Sequence, residues 1–181
     1  KKFISVPATE FQYLKNNPIN QLKMKQISYG LLLLLLPFTG FSKVVWLDEL
    51  NMQTMWQDWG AANVNKSIMG TPLQVAGVKY KRGIGTHSIS RYLVNLEGKA
   101  TSFSGFVGAD DRNDFSMNME FQLIADQKVI WTSGIMHKGM PARQFAVDLK
   151  NVQKLALLVV EAGDGIMYDH ADWLEAKFET T

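Results

Sequence analysis

The chain has 181 residues and no cysteine, with 19 Lys and Arg against 17 Asp and Glu. The absence of cysteine excludes a small disulfide-stapled scaffold. Lys1, Lys2, Lys15, Lys23 and Lys25 and the single acid Glu10 all precede residue 43, so 43–181 carries a formal charge of about −2 and offers no basic face for nucleic acid.

In chain order, the first feature is Met24, at the head of "MKQISYGLLLLLLPFTGFS", residues 24–42. A Lys, an apolar run with six leucines, a proline and small residues at Gly40 and Ser42 make the pattern of a secretory signal peptide. The apolar stretch is shorter than the roughly 20 residues a membrane-spanning helix needs. The expectation is therefore an exported protein, secreted, periplasmic or at the cell surface, with no membrane span in its mature form. Residues 1–23 precede the apparent start and are set aside as a non-native upstream segment. Residues 43–181 remain, a single-domain length that buries roughly two thirds of its unfolded surface.

Within 43–181 the periodicity is that of strands. "VVWLDEL" opens the segment, and "NMQTMWQDWGAANVNKS" does not alternate, so it reads as a loop or short helical turn. Further on, Tyr92, Val94 and Leu96 alternate, as do Phe103, Gly105 and Val107. Met117, Met119, Phe121, Leu123 and Ala125 share one face, and Asp126-Gln127-Lys128 turns the chain into "VIWTSG", a hairpin over 117–133. Phe145, Val147 and Leu149 alternate again; "KLALLVVEAG" is apolar at nearly every step, as in a strand buried on both sides; "ADWLEAKFE" closes the set. About eight short strands joined by Gly, Asp and Asn turns predict an all-β domain, a β-sandwich of jelly-roll type.

Three polar segments interrupt these strands. "RGIGTHS" holds Arg82, a fork of donors, and His87, beside two glycines that permit close backbone approach. It lacks the spacing of a phosphate loop and runs into a strand, so it reads either as a polar ligand site at a strand edge or as a corner where Thr86 and His87 satisfy buried backbone groups. "VGADDRND" gathers Asp110, Asp111 and Asp114; such acids can bind calcium or build Asx turns, and no EF-hand spacing is present. "GDGIMYDHADW" sets Asp164 in a turn and then packs Tyr168, Asp169, His170, Asp172 and Trp173 together. Five tryptophans complete the inventory: Trp46, Trp56, Trp59, Trp131 and Trp173. Most should be core, but Trp56 and Trp59 lie outside the clear strands. A loop indole can offer its face to a sugar ring.

"YKRGIGTHSISRYLVNL", "FSGFVGADD", "EFQLIADQKVIWTSG" and "GDGIMYDHADWLEAKF", in that order, resemble the NPCBM family of carbohydrate-binding modules, over about 44–179. The resemblance implies a β-sandwich attached to a secreted glycoside hydrolase of α-galactosidase type. It implies non-catalytic binding of galactose-containing glycans, and calcium as the candidate cofactor with Asp110 and Asp111 as its ligands. Arg82, His87, Asp169, His170 and Trp173 carry over as ligand-side or site-shaping residues, with Trp59 as the loop indole. The expected partners are the glycan and the adjacent hydrolase domain. Two rivals remain: a structural module that packs on a catalytic domain without binding sugar, and a free-standing enzyme using Asp169, His170 and Asp111. The binding account requires the two histidine-bearing segments to be neighbours in space, beside an indole.

Overall fold

The computed structural model describes residues 42–112 and 114–181. The segments expected over 1–23 and 24–42 lie outside the described residues, Ser42 apart. No described helix is long and apolar enough to cross a membrane.

The alternation becomes two antiparallel sheets packed face to face. The first contains β1 (Lys43–Trp46), β3 (Asn63–Val64), β6 (Gly83–His87), β8 (Ala100–Ala109), β11 (Arg143–Asp148) and β13 (His170–Thr180), in the order β11-β8-β13-β6-β3, with β1 pairing the C-terminal part of β13. The second contains β2 (Met55–Gln57), β7 (Ser90–Asn95), β9 (Met119–Ala125), β10 (Lys128–Met136) and β12 (Lys154–Glu161), ordered β10-β9-β12-β7-β2. A two-stranded ribbon, β4 (Gln74–Val75) and β5 (Val78–Lys79), stands apart. The domain is the β-sandwich expected, with additional strands of two to four residues. The stretch without periodicity holds a 3-10 turn at Met52–Thr54, then β2 and β3.

The core fills the space between the sheets with the residues whose alternation marked them. Phe103 stacks on Phe178 at 4.2 Å between centroids, and Trp173 meets Phe121 and Phe145 edge-on at 5.3 and 5.9 Å. Such offset and T-shaped pairs match the ring quadrupoles. The hairpin closes at Asp126-Gln127, both at positive φ, as a two-residue turn with primed geometry requires. Strand β12 departs from expectation. Its inward residues Leu155, Leu157 and Val159 are buried, whereas Ala156, Leu158 and Val160 are only half-buried on the outer face. An unbroken apolar run therefore marks the centre of a sheet with one covered face, not two.

The glycines of "GIG" serve backbone contact. A Cβ on Gly83 would fall 2.2 Å from the Trp173 carbonyl oxygen, and one on Gly85 would fall 2.4 Å from the Lys66 carbonyl oxygen and 2.5 Å from Ser67. Gly85 thus lets the 66–71 loop lie directly on β6. Gly85→Ala is expected to cost about 2–3 kcal/mol, read as a lowered melting temperature, because backbone has to move.

Candidate functional site

Both histidine-bearing segments reach the same end of the first sheet. His170 and His87 are Cα register partners at the junction of β13 and β6, with ring centroids 5.6 Å apart. Trp59 lies against both: 5.0 Å from the His87 ring and 6.1 Å from the His170 ring, nearly parallel to the latter. The imidazoles are 4% and 5% exposed, while Trp59 is 49% exposed. These three rings border a recess of about 640 Å³.

Short-range hydrogen bonds set each wall. The Thr86 hydroxyl donates to Gln57 Oε1 at 2.7 Å, and Gln57 Nε2 donates to the Trp59 carbonyl at 2.6 Å. The buried threonine of "GTHS" therefore holds the indole loop, a role closer to the corner alternative than to ligand contact. The 66–71 loop folds on itself through Ser67 N–H to Thr71 O and the Ser67 and Thr71 hydroxyls at 2.8 Å, while Asn63 Nδ2 donates to the Ser67 and Ile68 carbonyls. That loop presents Met69 and Thr71 to the recess. Opposite, Asp169 N–H donates to Ile166 O and Tyr168 takes a positive φ, which turns Ile166, Met167 and Tyr168 into the third wall. Phe115 backs Tyr168 at 4.8 Å. Arg112 and Asp114 complete the lining.

The electrostatics keep the imidazoles neutral. Burial lowers the pKa of both histidines; for His170 the neighbouring His87 lowers it further, against Asp110 and Asp114. The His87 Nδ1–H donates to the Ser88 carbonyl, which leaves its other nitrogen as an acceptor. A half-exposed indole, an imidazole acceptor and the side chains of Arg112 and Asp114 can stack a sugar ring and bind its hydroxyls.

Other candidates lie elsewhere. Arg82 stands at the opposite end of β6 from His87, where its guanidinium pairs with Asp48 and Glu49 at 2.9 and 2.6 Å and sits 4.6 Å above the Trp46 ring. Trp173 is 2% exposed and belongs to the core between the sheets, so it has no free face for a ligand. Asp169 is fully buried beneath the recess; its carbonyl accepts from Ser88 N–H, tying β6 to β13. Among the expected ligand residues the recess thus gathers Trp59, His87 and His170. Met69, Thr71, Arg112, Ile166 and Met167 went unread, although apolar residues in "SIMGT" and "GIMYD", outside any strand period, were a usable signal.

Burial pushes the Asp169 carboxyl up to about 7; Asp164 and Glu161 add to this, and Ser88 opposes it. Its native form therefore keeps a proton that the unfolded chain gives up near pH 4. Stability from this group is present below the ordinary carboxylate value and declines as pH rises from about 4 to about 7. Asp169→Asn should gain on the wild type across that window, by at most about 4 kcal/mol, and hold the advantage above it. Thermal melts of both proteins from pH 4 to 8 measure this difference; a constant offset would contradict it.

The acidic loop is tied to the neighbouring ribbon. Both Asp111 oxygens are taken by the ribbon turn, through Ala76 N–H, Gly77 N–H and Gln74 Nε2 at 2.8–2.9 Å. Asp110 is held in the same way, by Arg112 N–H at 2.8 Å and Gln74 N–H at 3.4 Å, but it also faces Asp172. Asp172 differs. It is fully buried and no N–H group reaches its carboxylate; burial first, then the charge of Asp110 and a hydrogen bond shared with that carboxyl, push its pKa far up. Two adjacent buried acids need a proton or a cation between them. Among the described residues no three His, Asp or Glu side chains surround one point.

A half-exposed indole beside two neutral imidazoles at an open recess is geometry that suits a carbohydrate-binding module. The comparisons with known proteins agree. Residues 43–179 match the model of the NPCBM/NEW2 domain, and the chain belongs to that family. It is 32% identical over 128 residues to alpha-1,3-galactosidase B of Akkermansia muciniphila, covering 69% of this chain and 16% of that protein. The CBM51 module of Clostridium perfringens GH95, solved in complex with methyl-galactose, superposes with a TM-score of 0.70 at 28% identity, over 75% of this chain and 99% of that one. CBM51-2 of Clostridium perfringens ZmpB, solved in complex with GlcNAc, gives 0.71 at 28% identity, over 76% of this chain and 32% of that one.

Proposed function

We propose that the recess bordered by Trp59, His87 and His170 binds galactose-type glycans without chemistry, and so holds an exported glycoside hydrolase near its substrate. The observation that carries this is the half-exposed Trp59 beside two neutral imidazoles. Similarity to a galactosidase and to a module solved with methyl-galactose supports the sugar class and the hydrolase partner. The leader pattern over 24–42 supports export. A single site should bind weakly, between millimolar and micromolar, because the hydroxyls lose water on entry; attachment to an enzyme then acts by raising local concentration. Calorimetric titration with methyl-galactoside and N-acetylglucosamine tests this, with measurable heats expected for the galactoside. Flat heats for both, with indole fluorescence unmoved by sugar, would favour a module that only packs on a neighbouring domain.

We further propose that calcium lies between Asp110 and Asp172 rather than Asp110 and Asp111. The Asp172 carboxylate, buried against Asp110 with no N–H donor to it, supports this. Calcium takes six to eight oxygens, so main-chain oxygens and water would complete its shell. The ion would neutralise the buried acids and brace the strand ends beneath the recess. A chelator should lower the melting temperature by about 5 °C or more, and Asp172→Asn should melt low with or without it. An unmoved melting temperature, with Asp172→Asn more stable than wild type, would assign Asp172 a proton.

A further inference from the structure

The apolar walls of the recess carry two thioethers that the saccharide reading does not require. Met69 from the 66–71 loop and Met167 from the turn before β13 both line it, at 53% and 68% exposure. Among the described residues these are the most exposed methionines; Met119 and Met136 are buried in the core at 0%, and Met52, Met55, Met117 and Met140 are more covered. The two methionines most open to an oxidant therefore line the recess. A thioether in this position packs on apolar sugar faces and substituents because it is soft and adaptable. The sulfoxide is polar and chiral, and it loses that contact.

We propose that Met69 and Met167 are oxidation sites that switch glycan binding off, with a hydroperoxide such as hydrogen peroxide as the oxidant. The sulfur lone pair attacks one oxygen of hydrogen peroxide, an S–O bond forms as the O–O bond breaks, and the leaving hydroxide takes the proton of the attacked oxygen to depart as water. Sulfur is oxidised by two electrons and the peroxide is reduced by two. The fold survives, because neither residue belongs to the core between the sheets. The inference rests on the saccharide reading of the recess.

The test treats the whole chain with hydrogen peroxide, locates the sulfoxides by peptide mass, and titrates methyl-galactoside before and after. The expected result is oxidation of Met69 and Met167 ahead of Met119 and Met136, at least fivefold weaker binding, an unchanged melting temperature, and recovery of binding after methionine sulfoxide reductase. Met69→Gln/Met167→Gln should show the weakened binding without peroxide, and Met69→Leu/Met167→Leu should show no further change on peroxide. Unchanged affinity with both sulfoxides formed, or an equal loss in the leucine variant, would overturn the inference. An untreated chain that binds neither methyl-galactoside nor N-acetylglucosamine would remove the saccharide reading itself, and this inference with it.

Discussion

Trp59→Ala is expected to weaken methyl-galactoside binding by about 2 kcal/mol, roughly thirtyfold, and to shift the melting temperature little. The size follows from what the indole supplies. It is the large aromatic surface of the recess that remains half exposed, and truncation of a central aromatic anchor commonly costs about 2 kcal/mol or more. The folded state loses less, because nearly half of Trp59 already faces water and its ring contacts are with two histidines outside the core between the sheets. For a millimolar ligand a thirtyfold loss is loss of measurable binding. Titration paired with a thermal melt separates the two effects. Binding retained at wild-type strength would move the ligand off this indole.

Trp173→Ala should do the reverse. Its ring is 2% exposed and meets Phe121 and Phe145 edge-on between the sheets. Removing a buried tryptophan costs about 3–5 kcal/mol, a large part of the 5–15 kcal/mol that holds a domain together. The expected outcome is a melting temperature lowered by about 10 °C or more, or failure to fold. The resemblance and the crowded "DHADW" segment place Trp173 at the ligand, but β13 alternates, and its Cα pairing with Val107 and Ile84 sends this side chain inward. A variant that keeps its stability but loses sugar binding would return Trp173 to the site.

These two residues show how far the sequence could be read. Strand alternation depends only on neighbours along the chain, so the core at Tyr92, Phe103, Phe121 and Phe145 was legible. The pairing of His87 with His170 was legible as a requirement, since one polar, turn-rich end is where a sandwich can spare side chains from its core. Arg82 was misplaced because its partners, Asp48 and Glu49, come from a distant stretch that gives no local signal of an ion pair. The hold of Asp111 on the ribbon was hidden for a similar reason: its donors, Ala76 and Gly77 N–H, lie 35 and 34 residues away. Met69 and Met167 were overlooked because exposed apolar residues in loops look like noise until the fold brings two of them to one recess. The outer side of β12 shows the limit of composition, since half-burial by neighbours within a sheet and full burial by a second layer select the same residues.

The most direct measurement is a crystal structure of residues 43–181 with methyl-galactoside. The account predicts the sugar stacked on the exposed face of Trp59, with at least one hydroxyl in hydrogen-bond reach of His87 or His170. A sugar seated elsewhere on the sandwich, with the Trp59 recess empty at saturating ligand, would contradict it.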